Sequence, residues 1–390
     1  MLPSLALMLT CALILSGIMR ALRLPALLGM LLTGIALGPY ALDLIAPELL
    51  NISADLRQIA LIIILLRAGL ALNSEALKKV GRPAVLMCFV PATFELIATT
   101  LIAPRLFNIT YLEAAIMGAV LGAASPAIIV PKMIKLTENG YGKEKSIPQL
   151  IMAGASVDDI YVIVLFTSFM GMSESGRLNF ISLVKAPVTV AVGLLAGILC
   201  GLALAWLFRK IKIRDTVKAL VILSAAFLLV ALEAAIPMSG LLAVMALGGT
   251  LLKKSEGLAN KMAVKFSKAW VFAEIMLFIF VGATINMEYA AKEGFAAAAL
   301  IAAVLIIRFL GVLVCLAKTR LTMKERLFCG VAYLPKATVQ AGIGGLPLAA
   351  GISAGNTILT VAVLAILITA PLGAVGIDLL HRGLLVKEGG

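Results

Sequence analysis

Apolar runs of helical length recur along the whole chain, at 3–19, 24–38, 56–72, 83–103, 111–131, 147–172, 183–208, 216–236, 239–252, 269–286, 295–317, 325–350 and 356–380. Crossing the hydrocarbon core of a bilayer takes about 20 residues of helix. The pattern therefore predicts an all-α polytopic membrane protein of about 13 transmembrane helices, some of them, such as the second and ninth, short for a full crossing. Composition agrees: 14% of the residues are charged, against about a quarter in a soluble domain. Loops are short and no polar block approaches domain size, so residues 1–390 form a single transmembrane domain. The run from Leu2 to Met19 has no basic stretch ahead of it and no small-residue cleavage site, and is expected to be a retained span.

Thirteen crossings put the two termini on opposite sides. Of the 33 lysines and arginines, 23 fall in odd-numbered loops and 5 in even-numbered loops or their edges. Loop lysines and arginines mark the cytoplasmic side. The N-terminus is thus expected outside and the C-terminus in the cytoplasm, in a cell's inner (plasma) membrane. The net charge of +13 is read as this topology signal and not as a nucleic-acid footprint. Five cysteines, an odd number, all lie in apolar runs and read as small core residues. The one histidine, His381, lies at the C-terminal membrane edge, which argues against catalysis or metal binding built on histidine.

Two apolar segments carry matching irregularities. The fifth contains Ala124-Ser125-Pro126 in mid-span and is expected to close at Pro131. The twelfth contains Leu334-Pro335-Lys336-Ala337-Thr338-Val339-Gln340, followed by a glycine-rich stretch and Pro347. Proline removes a backbone donor and clashes with the preceding turn, so both helices should break. An offset of seven spans makes them antiparallel, the layout of inverted-topology repeats. Residues 1–172 then form the first repeat, 183–208 a linker helix and 216–380 the inverted second repeat. Paired interrupted spans point to a midplane transport site, and unwound backbone is tolerated at that depth only where it lines a cavity or is buried in protein.

The intramembrane charges follow the same pairing. Asp158 and Asp159 are adjacent inside the apolar run 147–172. A carboxylate in mid-membrane costs roughly 2.5–3.5 kcal/mol on insertion scales unless it is paired or hydrated. Two side by side do not both ionise cheaply, so one tends to hold a proton. A carboxylate pair that trades a proton for a hard cation is the chemistry of an ion/proton antiporter. Because adjacent helix residues point about 100° apart, one aspartate should face the crossing squarely and the other a neighbouring helix. Glu95 in the fourth span and Arg308 in the eleventh are placed to form a buried ion pair. Arg67, near the end of its span, is expected to snorkel to the interface. Lys336 lies between the two breaks, where it would offset the exposed carbonyl ends of opposed half-helices.

Taken together, Gly154-Ala155-Ser156-Val157-Asp158-Asp159, Ser125-Pro126-Ala127, Leu334 to Gln340 and Arg67-Ala68-Gly69-Leu70 resemble the cation:proton antiporter superfamily, most closely its NHA-type sodium/proton exchanger branch. The resemblance runs over essentially the whole chain. It implies an NhaA-like antiporter fold with two crossed discontinuous helices, carried by a mobile core that moves against a dimerising panel in a homodimer. It also implies that Asp159 is the principal cation and proton carboxylate, with Asp158 beside it. Main-chain oxygens around Ala124 and Ser125, and the Ser156 hydroxyl, would complete an oxygen shell for Na⁺ or Li⁺, and Lys336 would stabilise the crossing. No cofactor is implied; the partners are monovalent cations, protons and the bilayer. Where electrogenic relatives place a lysine against the first aspartate, this chain has Arg308. Glu95 is expected to occupy that arginine and leave Asp158 free, which favours electroneutral exchange. Ser125, Thr338 and Gln340 either contact the ion or satisfy freed backbone groups.

Other classes fit less well. An intramembrane aspartyl protease needs its two aspartates on different helices, and no Gly-x-Gly-Asp string is present. A cation channel would show a repeated filter loop. A K⁺/H⁺ antiporter of the same fold stays open, and an ion-coupled organic anion symporter is disfavoured by the buried aspartates.

Overall fold

The computed structural model describes residues 1–71, 80–174, 180–211 and 213–387. Lys78, Lys79, Arg177 and Lys212, which enter the orientation argument, lie outside them. The main helices are α1 (Leu2–Ala21), α2 (Ala26–Leu37), α3 (Ser53–Leu70), α4 (Val90–Phe107), α5 (Tyr111–Leu121), α6 (Pro126–Glu138), α7 (Ile147–Glu174) and α8 (Phe180–Lys210). They continue with α9 (Asp215–Ala231), α10 (Gly240–Lys254), α11 (Glu256–Ala283), α12 (Met287–Leu316), α13 (Met323–Ala332), α14 (Thr338–Ile343) and α15 (Gly355–Leu384). Among the described residues, strand-like pairing is limited to one isolated antiparallel bridge, Tyr141 with Lys387. Nine helices among the described residues are long and apolar enough to cross a membrane. The short second and ninth segments fall on α2 and α10, of 12 and 15 residues.

The chain divides into two compact units. The first is drawn from residues 1–53, 80–162 and 278–387, and it holds both interrupted helices. In the first of these, α5 ends at Leu121 and α6 begins at Pro126 with Ser125 as its N-cap. Proline suits that first helical position because its missing N–H would have no partner there anyway. Contrary to expectation, Pro131 does not close the segment; α6 continues through it to Glu138. A proline forfeits one ladder bond and crowds one carbonyl, which a helix packed on neighbours survives with a kink. In the second interrupted helix, residues 333–337 separate α13 from α14, and residues 344 and 345 precede a short turn, Leu346–Ala349.

Both interrupted helices start with the same device. Thr110 and Glu113 form a capping box at the head of α5, and Thr322 and Glu325 form another at the head of α13. In each, the threonine hydroxyl accepts from the glutamate N–H and the glutamate accepts from the threonine N–H, which satisfies two donors that the first turn leaves open. Each glutamate also has a distant contact. Glu113 accepts from the Ser353 hydroxyl and from the Ala354 N–H at 3.1 Å, just before α15. Glu325 pairs with Lys145 at 2.9 Å, just before α7. Short α2 is seated by close approach: a Cβ at Gly34 would overlap the Ile279 carbonyl, and one at Gly282 the Leu31 carbonyl.

The second unit comprises the described residues of 54–71 and 163–277. Its centre is α10, packed against α8. Gly193, Gly197 and Gly201 repeat every fourth residue on α8, and a Cβ at each would meet Ser239, Ala243 and Thr250 respectively. Small residues at this spacing let two helix backbones approach closely, the usual source of packing energy inside lipid. Gly69 of α3 meets Met245 and Gly248 of α10 in the same way.

Candidate functional site

The two interruptions meet inside the first unit. The Ser125 N–H donates to the Pro335 carbonyl at 2.8 Å. The Gln340 amide, completely enclosed at the head of α14, donates to the carbonyls of Val120, Leu121 and Ala123 at 3.1, 3.3 and 3.0 Å. These carbonyls end α5 and lack helical partners, and an unsatisfied buried carbonyl costs about 1–3 kcal/mol. Gln340 thus satisfies freed backbone. Thr338 is buried as the first residue of α14. The Lys336 N–H donates to the Thr369 hydroxyl at 2.9 Å, and Lys336 Nζ donates to the Leu121 carbonyl.

Around this crossing lie five ionisable side chains, all buried: Glu95, Asp158, Asp159, Arg308 and Lys336. Arg308, on α12, bridges two carboxylates, with Nη1 at 2.8 Å from Glu95 and Nη2 at 2.9 Å from Asp158. The same guanidinium donates to the Gly122 carbonyl and, through Nε, to the Tyr333 carbonyl at 3.0 Å. Lys336 Nζ pairs with Glu95 at 2.8 Å. Two cations and two anions therefore form one closed, charge-balanced network. This corrects the expectation that Glu95 takes Arg308 and leaves Asp158 free. A guanidinium carries five donors in a rigid fork, enough for both carboxylates and two carbonyls at once.

The structure also decides which aspartate faces the crossing. Asp158 Oδ2 accepts from the Ala124 N–H at 2.9 Å as well as from Arg308. Asp159, one residue on, enters no ion pair among the described residues. Five buried oxygens at this crossing have no hydrogen-bond partner among the described residues: Asp158 Oδ1, Asp159 Oδ1, Ser125 Oγ, Glu95 Oε1 and Gln340 Oε1. Ala124 thus contributes its N–H to a carboxylate, and the Ser125 carbonyl accepts from the N–H groups of Ile128 and Ile129 in the first turn of α6. A helix that starts at Pro126 recruits the carbonyl of its own N-cap, so that oxygen already accepts two backbone hydrogen bonds. Ser156 lies in α7, and its side chain is outside the described residues. Among the described residues no three His, Cys, Asp or Glu side chains form a metal cage; the available donors are carboxylate and hydroxyl oxygens, which suit hard cations.

Tyr333 and Thr369 were not singled out from the sequence. Tyr333 is fully buried, donates its hydroxyl to the Met87 carbonyl at 3.0 Å, and places its ring 5.2 Å from the Arg308 guanidinium. A Cβ at Gly154 would stand 2.6 Å from that hydroxyl, so the glycine four residues before Asp158 is needed for the tyrosine to fit. Its signal was present, since a tyrosine next to the Leu-Pro-Lys break sits where freed backbone requires partners. Arg67, near the end of α3 in the second unit, is half-buried, with Glu274 of α11 in its electrostatic surroundings.

A family model for the transmembrane sodium/hydrogen exchanger matches residues 5–381. Sodium/hydrogen exchanger 9B2 of Homo sapiens is 35% identical over 384 residues, covering 93% of this chain and 70% of that protein. Sodium/hydrogen exchanger 9B1 of Homo sapiens is 33% identical over 382 residues, covering 94% and 73%. The solved structure of the sodium proton antiporter MjNhaP1 from Methanocaldococcus jannaschii at pH 8 superposes with a TM-score of 0.80 at 21% identity, covering 98% of each chain. At that identity the superposition speaks to the fold.

Proposed function

This chain belongs to the sodium/hydrogen exchanger family of multi-pass membrane antiporters, and from that premise we propose that it exchanges Na⁺ or Li⁺ for H⁺ at Asp159, one for one, by alternating access. The observation that carries the reading is the charge balance. Glu95, Asp158, Arg308 and Lys336 neutralise one another, so Asp159 is the odd carboxylate. An ionised carboxylate left alone at that depth is expensive, and either a proton or a monovalent cation removes the cost. The two compete for one group, which couples their movements without covalent chemistry. Asp158 is not free as expected, but its pairing with a permanently charged guanidinium leaves a single titrating site, and on that ground instead the exchange is electroneutral.

Of the five partnerless oxygens at the crossing, those of Asp158, Asp159 and Ser125 are the donors this reading assigns to the bare cation, with Ser156 as a further one. Arg308, Glu95 and Lys336 hold the crossing, and Thr338 and Gln340 support its backbone. The paired capping boxes favour inverted repeats within thirteen crossings: each capping glutamate reaches the loop ahead of the long helix that closes the other half. On this reading the first unit is the moving core of an elevator and the second the panel of a homodimer, in a plasma membrane with a cytoplasmic C-terminus.

The test is collapse of a pH gradient in proteoliposomes on addition of Na⁺, Li⁺ or K⁺, with wild type and Asp159→Asn. Response to Na⁺ and Li⁺ that vanishes in well-inserted Asp159→Asn is expected. Full activity of the variant would rule out the carboxylate, a response to K⁺ alone would reassign the ion, and a rate that follows an imposed membrane potential would overturn one-for-one exchange.

A further inference from the structure

One end of the first unit holds a half-open cavity of about 750 Å³, apart from the carboxylate crossing and sharing no residue with it. Six cations line it: Arg20 and Arg23 at the end of α1, Lys132 and Lys135 near the end of α6, and Arg382 and Lys387 at and beyond the end of α15. Basic residues at three helix C-termini have an ordinary explanation, since each terminus carries roughly half a negative charge. Here the numbers exceed it. Three ends supply about one and a half charges, and Asp378, the one carboxylate in the lining among the described residues, supplies another and is bonded to Lys132. About three and a half positive charges remain over among those residues. Arg23, Lys135 and Arg382 make no ion pair among the described residues.

The wall that presents these charges is built. Tyr141 stacks edge-on against His381 with ring centroids 4.9 Å apart. The Gly142 N–H donates to the Val386 carbonyl at 2.9 Å, and Leu385 is buried, which pins the tail so that Lys387 lies over the Tyr141 ring. A pocket of several hundred Å³ accepts a compact polar group, and arginines in an uncompensated cluster favour the bidentate oxygens of phosphate.

We propose that this cavity binds a phosphate-bearing anion, and that its source is the headgroup of an anionic phospholipid. The second part rests on where the cations stand, at or just beyond the ends of three segments long and apolar enough to cross a membrane, Leu2–Ala21, Tyr111–Glu138 and Gly355–Leu384. Cations at the ends of such segments lie at the level of phospholipid headgroups, which a membrane supplies at a far higher local concentration than any soluble phosphate. Basic pockets between membrane helices are suited to such headgroups.

The test is lipid binding to purified, delipidated full-length protein, read by native mass spectrometry and by the shift in unfolding temperature. Phosphatidylglycerol is expected to bind and raise the unfolding temperature where phosphatidylcholine does not. The triple variant Arg23→Gln, Lys135→Gln, Arg382→Gln is expected to lose on the order of a hundredfold in phosphatidylglycerol affinity, and the single exposed change Arg382→Gln roughly fivefold. The single change carries the test if the triple variant folds poorly. Neutralising Lys253, Lys254 and Lys268 in the second unit should leave the affinity intact; an equal loss there would make the effect general surface charge and overturn the site. Equal stabilisation by phosphatidylcholine would also overturn it. A shift by glycerol 3-phosphate or inorganic phosphate as large as that by lipid would overturn the lipid source.

Discussion

At the crossing in the first unit the helices are joined through buried charge, whereas at the centre of the second they are joined through glycine. Arg308 reaches four acceptors on four different segments, and Lys336 and Gln340 hold the unwound end of α5. In the second unit α8 meets α10 through Gly193, Gly197 and Gly201, with backbones so close that no side chain fits between them. Both solve the problem that apolar side chains gain nothing over lipid by packing, but they respond differently to change. A charged crossing holds only while every donor and acceptor has its partner. A glycine seam depends on shape alone and is indifferent to pH and salt. A transport site is expected where protons and ions alter the balance of charge, and a rigid frame where they do not.

The sharpest way to break the contrast is Arg308→Leu, which leaves Glu95 short of one partner and Asp158 with none of its cations. Stranding buried charge in this way costs about 3–5 kcal/mol, and the expected outcome is a collapse of folded protein in detergent, read by size-exclusion profile and unfolding temperature. Next comes Gly197→Leu, whose Cβ would overlap the Ala243 carbonyl. Overpacking of this kind costs about 1–3 kcal/mol, and the loss of unfolding temperature should be the same at pH 6 and pH 8. Gln340→Ala leaves the carbonyls of Val120 and Ala123 unsatisfied at a cost of about 1–3 kcal/mol, with a lower exchange rate as the accompanying measurement. The smallest effect on stability belongs to Asp159→Asn, which removes no ion pair: its unfolding temperature should match or exceed wild type while exchange is lost. A large loss of stability in that variant would place Asp159 in the framework and end the distinction between holding and carrying residues.

Much of this was legible in the residues. Proline and glycine inside apolar spans located both interruptions, and the matching offset of Glu95 and Arg308 paired two charges that lie 213 residues apart. Arg308's second carboxylate was not legible, because spacing along a helix says nothing about how far a guanidinium reaches across a crossing. For the same reason a 100° step between neighbours identified two different faces for Asp158 and Asp159 without saying which met Ala124. Two features were visible and passed over. Thr-Tyr-Leu-Glu at 110–113 and Thr-Met-Lys-Glu at 322–325 are capping-box sequences, and the fourfold glycine spacing at 193, 197 and 201 is a helix-packing stripe. Both are easily lost inside runs read chiefly for hydropathy. Pro131 was over-read, since a single proline in a well-packed helix bends it without ending it.

The Arg308 network also imposes an order on biosynthesis. Glu95 and Asp158 are translated 213 and 150 residues ahead of the arginine that pairs with them, and Glu95 is 241 residues ahead of Lys336. Every acid of the network belongs to the half that emerges first and every base to the half that emerges last. Until α12 arrives, the early helices hold carboxylates without counter-charges, and these must be protonated or kept near the lipid headgroups. The nascent protein therefore passes through an interval in which its first half is competent to insert but not to lock, and any factor that shields α4 and α7 during that interval acts on the yield of the finished molecule.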